Sequence, residues 1–124
     1  MPGKLIYFGL EGRAASMRSM LTHAGVEYEN CHVTMEEHHE MKASFKTPMG
    51  PLPIWEEDGF VICQSNAIMR FLAIRHGYYS EDPEICFNID SLMDFTEDIM
   101  SLFGNYYHPM LAQQGPPTEH EKFL

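Results

Sequence analysis

The sequence predicts an α/β domain of βαβ–ββα order followed by one amphipathic helix, and three observations carry that reading. The first 33 residues run strand, glycine-bounded loop, helix, strand; a proline-led hairpin and a second helix follow over 52–76; an apolar stripe at helical spacing begins near Glu84.

Residues 4–8 form a short apolar run ended by Gly9-Leu10-Glu11-Gly12, which reads as a strand entering a tight loop. A helix is expected from about Arg13, because Met17, Met20, Leu21 and Ala24 fall at i, i+3, i+4 and i+7 and Gly25 supplies a C-terminal cap. Residues 26–33 resume as a strand, and a strand–helix–strand unit of this kind places its two strands parallel in one sheet. Residues 35–51 are polar, with Pro48 and Pro51 marking an irregular, partly helical stretch.

Asp58-Gly59 sits between two runs of strand formers and predicts a β-hairpin. Pro53 has no N–H to give a ladder, so it begins the first hairpin strand, and local chemistry leaves the isomer of the Leu52–Pro53 bond open. Ser65 is expected as a side-chain N-cap, with Ile68, Phe71 and Leu72 on one face and Gly77 as the stop, giving a helix over 65–76. A helix that starts directly after a strand aims amides and the positive end of its dipole at one spot, which favours a carboxylate or phosphate. Gln64 and Ser65 add side-chain donors there.

Residues 78–83 read as a linker. Ile89, Leu92, Met93, Ile99, Met100 and Phe103 then form the apolar stripe, with Asp90, Asp94, Glu97 and Asp98 around it. Beyond Gly104 come Pro109, Gly115, Pro116 and Pro117, and no second long amphipathic helix is expected. The resulting division is a first domain over 1–78, a linker over 79–84 and a C-terminal part over 85–124 that opens with this helix. An apolar stripe left without its partners predicts self-association.

The 124 residues suit one modest domain plus this extension, and 44% hydrophobic against 21% charged content is that of a globular chain. Eight basic against 18 acidic residues give a net charge of −10, which argues against nucleic acid and anionic membranes as partners. Any anionic ligand must be held by local groups. Cys31, Cys63 and Cys86 are widely spaced and odd in number, so neither a disulfide framework nor a dithiol centre is expected, and a cytoplasmic location fits best. His32, His38 and His39 with Glu36 and Glu37 fit no zinc spacing, so no metal is expected.

Leu5-Ile6-Tyr7-Phe8-Gly9-Leu10-Glu11-Gly12-Arg13-Ala14, taken with the segment from Leu52-Pro53 through Gln64-Ser65 to Leu72, resembles the thioredoxin-like N-terminal domain of the cytosolic glutathione S-transferases. The pattern is most similar to the sigma class, which includes haematopoietic-type prostaglandin D synthases and the S-crystallins, and it covers residues 4 to about 103.

The resemblance implies a thioredoxin-like domain followed by the first helix of an incomplete all-α domain. It makes Tyr7 the residue whose hydroxyl donates to the glutathione sulfur, and Arg13 a second catalytic group near the thiolate. The implied glutathione-binding set is Tyr7, Phe8, Arg13, His38, Lys42, Lys46, Leu52, Pro53, Gln64, Ser65 and Asp98. Within it, Leu52 pairs through its backbone with the cysteinyl part, Pro53 is the cis-proline, and Gln64 and Ser65 hold the γ-glutamyl carboxylate. Lys42 or Lys46 holds the glycine carboxylate, His38 stands where sigma relatives usually carry tryptophan, and Asp98 reaches glutathione bound in a partner subunit.

The implied activity is conjugation of glutathione, as co-substrate, to a small electrophilic or lipid-derived molecule by a cytoplasmic homodimer. Two other readings from the same resemblance are a glutathione-dependent prostaglandin isomerase and a non-catalytic, S-crystallin-like binding protein or inactive fragment. A thioredoxin-like reductase is disfavoured, since Ser16 and Met17 stand at the start of the first helix and no cysteine pair exists.

Overall fold

The computed structural model describes the backbone of residues 2–44 and 46–111, and side chains as far as residue 105. Four strands, β1 (Gly3–Phe8), β2 (Tyr28–Val33), β3 (Ile54–Glu57) and β4 (Phe60–Cys63), form one mixed sheet of order β2-β1-β3-β4. β1 and β2 are parallel, as the strand–helix–strand reading requires, and β3 runs antiparallel to both β1 and β4. With helices α1 (Ala15–His23), α2 (Met35–Ala43) and α3 (Ser65–His76) between and after them, this is the thioredoxin-like βαβ–ββα arrangement.

Leu5, Ile6 and Tyr7 are consecutive on β1 and all buried. Successive strand side chains point to opposite faces, so the sheet is covered on both sides at its centre. Met17, Met20 and Leu21 of α1 and Ile68, Leu72 and Ala73 of α3 close the core against Ile54 and Trp55, with the two helices packed together. Their periodicity made both helices legible. Gly3 has a different reason to be small: a Cβ there would lie 1.9 Å from Cζ2 of the buried Trp55 ring.

The structure departs from the sequence reading at four places. The first helix opens as a 3-10 turn over Gly12–Ala14 before α1 begins. β2 starts at Tyr28 rather than at residue 26. The stretch after it is partly helical and partly irregular, as expected: α2 lasts nine residues and opens on a reciprocal capping box in which Thr34 Oγ1 accepts from the Glu37 amide and Glu37 accepts from the Thr34 amide, and residues 46–53 are turns and irregular chain. At α3 the cap position is Gln64, with no side-chain cap bond, and Ser65 is the first helical residue. Gln64 itself makes the turn out of β4 with a left-handed φ of 75°, so Ser65 already has helical geometry.

The last departure concerns the final helix, α4 (Pro83–Leu111), which continues through Gly104 and Pro109. One glycine costs a helix about 1 kcal/mol relative to alanine, too little to end one of this length. Gly115, Pro116, Pro117 and the expectation of no further helix lie outside the described residues.

Two compact units result, Met1–Ser80 and Glu81–Leu124. Along α4, Ile85, Leu92 and Ile99 are exposed at seven-residue intervals, as are Phe95 and Leu102, so this apolar face is open to solvent. Among the described residues no helix is long and apolar enough to cross a membrane.

Candidate functional site

Tyr7, next to last on β1, is 6% exposed, and its hydroxyl oxygen accepts a hydrogen bond of 3.1 Å from the Arg13 amide. A phenol carries one proton and two lone pairs, so with a lone pair engaged the proton is directed to another acceptor. This closure of the β1–α1 loop depends on Gly12. Its φ is +41°, and a Cβ there would sit 2.3 Å from the Tyr7 oxygen.

The sheet register gathers the remaining candidates. Ile6 pairs with Ile54, and Ile54 with Cys63. One residue further along, the antiparallel strands bring Tyr7, Pro53 and Gln64 into one row, about 10 Å across at ordinary strand spacing. Beside that row stand Phe8, Leu52 and Ser65. The Leu52–Pro53 bond is cis and both residues are buried.

α3 starts at the end of the row. The Ile68 amide makes the bond to the Gln64 carbonyl, 2.9 Å, so the amides of the first turn face out of the helix at this spot. The Gln64 side-chain amide rests 3.4 Å from the Met49 sulfur.

α2 packs against the site through its buried residue. His38, 7% exposed, donates from Nε2 to the Gly50 carbonyl at 2.7 Å and sets its ring edge-on to Phe8, centroids 5.4 Å apart. The carbonyl can only accept, which fixes the proton on Nε2. His38 thus ties α2 to the loop that leads into Leu52. Lys42, exposed in the last turn of α2, lies with its stem near Gly50, where a Cβ would be 3.9 Å from Lys42 Cδ. Lys46 is exposed in the following loop, its amide bonded to the Met41 carbonyl at 2.9 Å.

Tyr7, Phe8, Arg13, His38, Lys42, Leu52, Pro53, Gln64 and Ser65 therefore surround one end of the sheet. Asp98 belongs to the second unit, exposed on α4. Among the described residues no group of three or more His, Cys, Asp or Glu side chains is placed to hold a metal ion. Sequence reasoning missed Arg18, whose guanidinium reaches the carbonyls of the loop between Tyr7 and Arg13. No motif marks it, because its partners are backbone atoms brought near only by folding.

The family model for the glutathione S-transferase N-terminal domain matches residues 3–74. Glutathione S-transferase 2 of Caenorhabditis elegans is 34% identical over 119 residues, covering 96% of this chain and 61% of its own. The hematopoietic prostaglandin D synthase of Gallus gallus is 37% identical over 100 residues, 81% of this chain and 49% of its own. A crystal structure of a C. elegans-specific GST superposes with a TM-score of 0.81 at 31% identity, over 96% of this chain and 57% of that one.

This chain belongs to the glutathione S-transferase family. It spans about half to three-fifths of the length of the relatives it matches.

Proposed function

We propose that this chain binds glutathione along the row Tyr7, Pro53, Gln64 and activates its thiol, as a glutathione transferase of sigma-class type acting on small electrophiles. The observation that carries the proposal is the row itself, with Tyr7 closed onto the Arg13 amide at one end and the start of α3 at the other. An extended tripeptide is about 10 Å long, the width of three strands.

In this reading the γ-glutamyl carboxylate sits on the α3 start with Gln64 and Ser65, where a helix N-terminus offers amides and positive potential. With a net charge of −10, the chain as a whole repels an anion, so that local potential supplies the attraction. The Leu52 backbone pairs with the cysteinyl residue, and Lys42 or Lys46 meets the glycine carboxylate. His38 lines that end beside Phe8.

The sulfur then lies at Tyr7. An ordinary thiol ionises at about pH 8.5, and each unit of depression corresponds to about 1.4 kcal/mol of preference for the anion. The Tyr7 proton, donated to sulfur, supplies part of that preference, and Arg13 supplies positive charge. The thiol proton leaves to solvent, and the thiolate electron pair forms a C–S bond to the electrophile, whose leaving group departs or whose carbanion takes a proton. The identity to a prostaglandin D synthase supports a lipid-derived electrophile as one substrate class. The odd, scattered cysteines support a reducing cytoplasm. Asp98 acts across a homodimer.

Retention on immobilised glutathione, released by free glutathione, tests binding. A conjugation assay on Tyr7→Phe beside the parent tests the chemistry. Equal rates for the two proteins would remove Tyr7 from the mechanism, and failure of the parent to bind would remove the site.

A further inference from the structure

We infer that Arg18 is a positioning residue that fixes the loop between Tyr7 and Arg13 and thereby sets the direction of the Tyr7 hydroxyl. The inference rests on the glutathione reading for its catalytic consequence, but the clamp itself does not. Arg18 stands one turn into α1 and reaches three elements. Its Nη1 donates to the Leu10 carbonyl at 2.7 Å, its Nη2 to the Phe8 carbonyl at 3.4 Å, and its Nε to Asn30 Oδ1 on β2 at 3.2 Å. The guanidinium carbon is also 5.8 Å from the centroid of the Tyr7 ring, within range of a cation–π contact.

This arrangement requires arginine. A planar fork can serve two carbonyls at once while Nε points elsewhere, whereas an ammonium is a single point of charge on a flexible stem. Asn30 is held in the matching orientation, since its Nδ2 lies 3.3 Å from His32 Nε2, which leaves Oδ1 turned to Arg18. The loop is thus held from two sides. On one, the Arg13 amide meets the Tyr7 oxygen; on the other, Arg18 takes the carbonyls of Phe8 and Leu10, which flank Gly9.

Releasing those carbonyls lets the loop move relative to β1, and the Arg13 amide moves with it. The Tyr7 hydroxyl then loses its fixed acceptor geometry. The α3 start, Gln64 and Leu52 are on other elements and keep theirs. A lost clamp should therefore weaken thiolate formation far more than glutathione binding.

The test compares the parent with Arg18→Met, Arg18→Lys and Asn30→Ala, all as the full chain and all checked for folding by circular dichroism. A misplacement of about an ångström at a reacting group lowers rates by up to about 10²-fold, so Arg18→Met should lose about tenfold or more in kcat with KM for glutathione within about twofold. The ultraviolet absorbance of the bound thiolate should develop at higher pH than in the parent. Arg18→Lys should fold as the parent does and still fail to restore the rate, and Asn30→Ala should move the same way by less. Should Arg18→Met not fold, Arg18→Lys decides. A thiolate titration identical to the parent's, or a rise in KM with kcat unchanged, overturns the proposal.

Amide hydrogen exchange without ligand separates this from the glutathione reading. Local opening of a released loop should speed exchange at Arg13 by about tenfold. If the parent binds no glutathione, the functional reading falls and this exchange decides the clamp, unchanged protection at Arg13 counting against it.

Discussion

At Tyr7 and Gly12 a side chain and a backbone share a space that admits nothing more. Gly12→Ala would add a methyl group 2.3 Å from the Tyr7 oxygen and force a side chain onto φ +41°, which by itself costs about 1–2 kcal/mol. The clashing atom is the end of a side chain, so the expected outcome is a displaced Tyr7 in a folded protein: a lower melting temperature, and thiolate absorbance lost to a greater degree. Hydrogen bonds to a charged group contribute about 1.5–3 kcal/mol, so Tyr7→Phe should lower the conjugation rate by roughly 10- to 100-fold while glutathione is still retained on the column. Gly3→Ala is the contrasting case. Its Cβ would enter the Trp55 ring, a bulky buried group, and overpacking of that kind destabilises by about 1–3 kcal/mol, measured as a shift in denaturation midpoint with no separate effect on thiolate formation.

Elements differed in how legible they were, and the reason is physical. α1 and α3 bury Met17, Met20 and Leu21, and Ile68 and Leu72, at a 3.6-residue period that is visible in the chain itself. α2 has no such stripe. His38 is its buried residue, and what defines the helix is the exchange of bonds between Thr34 and Glu37, a four-residue signature that polarity alone obscures. Thr34→Ala should lower stability by about 1 kcal/mol, read by denaturant titration. Because α2 holds Gly50 through His38, glutathione affinity should weaken with it, and calorimetry on the same variant checks that coupling. The candidate site was legible only as residue types, at Tyr7, Arg13, Pro53, Gln64 and Ser65, through the family resemblance. The alignment of Tyr7, Pro53 and Gln64 in one row depends on strand register and the Arg18 clamp on backbone carbonyls, so neither could be read along the chain, while the cis bond before Pro53, open to local chemistry, came only from the family resemblance.

Over the whole molecule, two features pull in different directions. A net charge of −10 keeps chains apart, while α4 exposes Leu92 at 66%, Phe95 at 61% and Leu102 at 54% of their surfaces. The seven-residue spacing of Ile85, Leu92 and Ile99 resembles the seam by which helices pair, and burial of such side chains yields about 1.5–3 kcal/mol each. The chain should therefore self-associate at micromolar concentration, with Leu92→Glu and Phe95→Glu together restoring a single small species in light scattering. A monodisperse monomer of the parent would contradict this.

The central claim, that one end of the sheet binds glutathione and ionises its thiol at Tyr7, is tested most directly by titrating the full chain with glutathione while recording thiolate absorbance against pH. Saturable binding is expected in both parent and Tyr7→Phe, with the thiolate appearing at lower pH in the parent alone. Absence of binding, or the same thiolate curve in both proteins, would contradict the account.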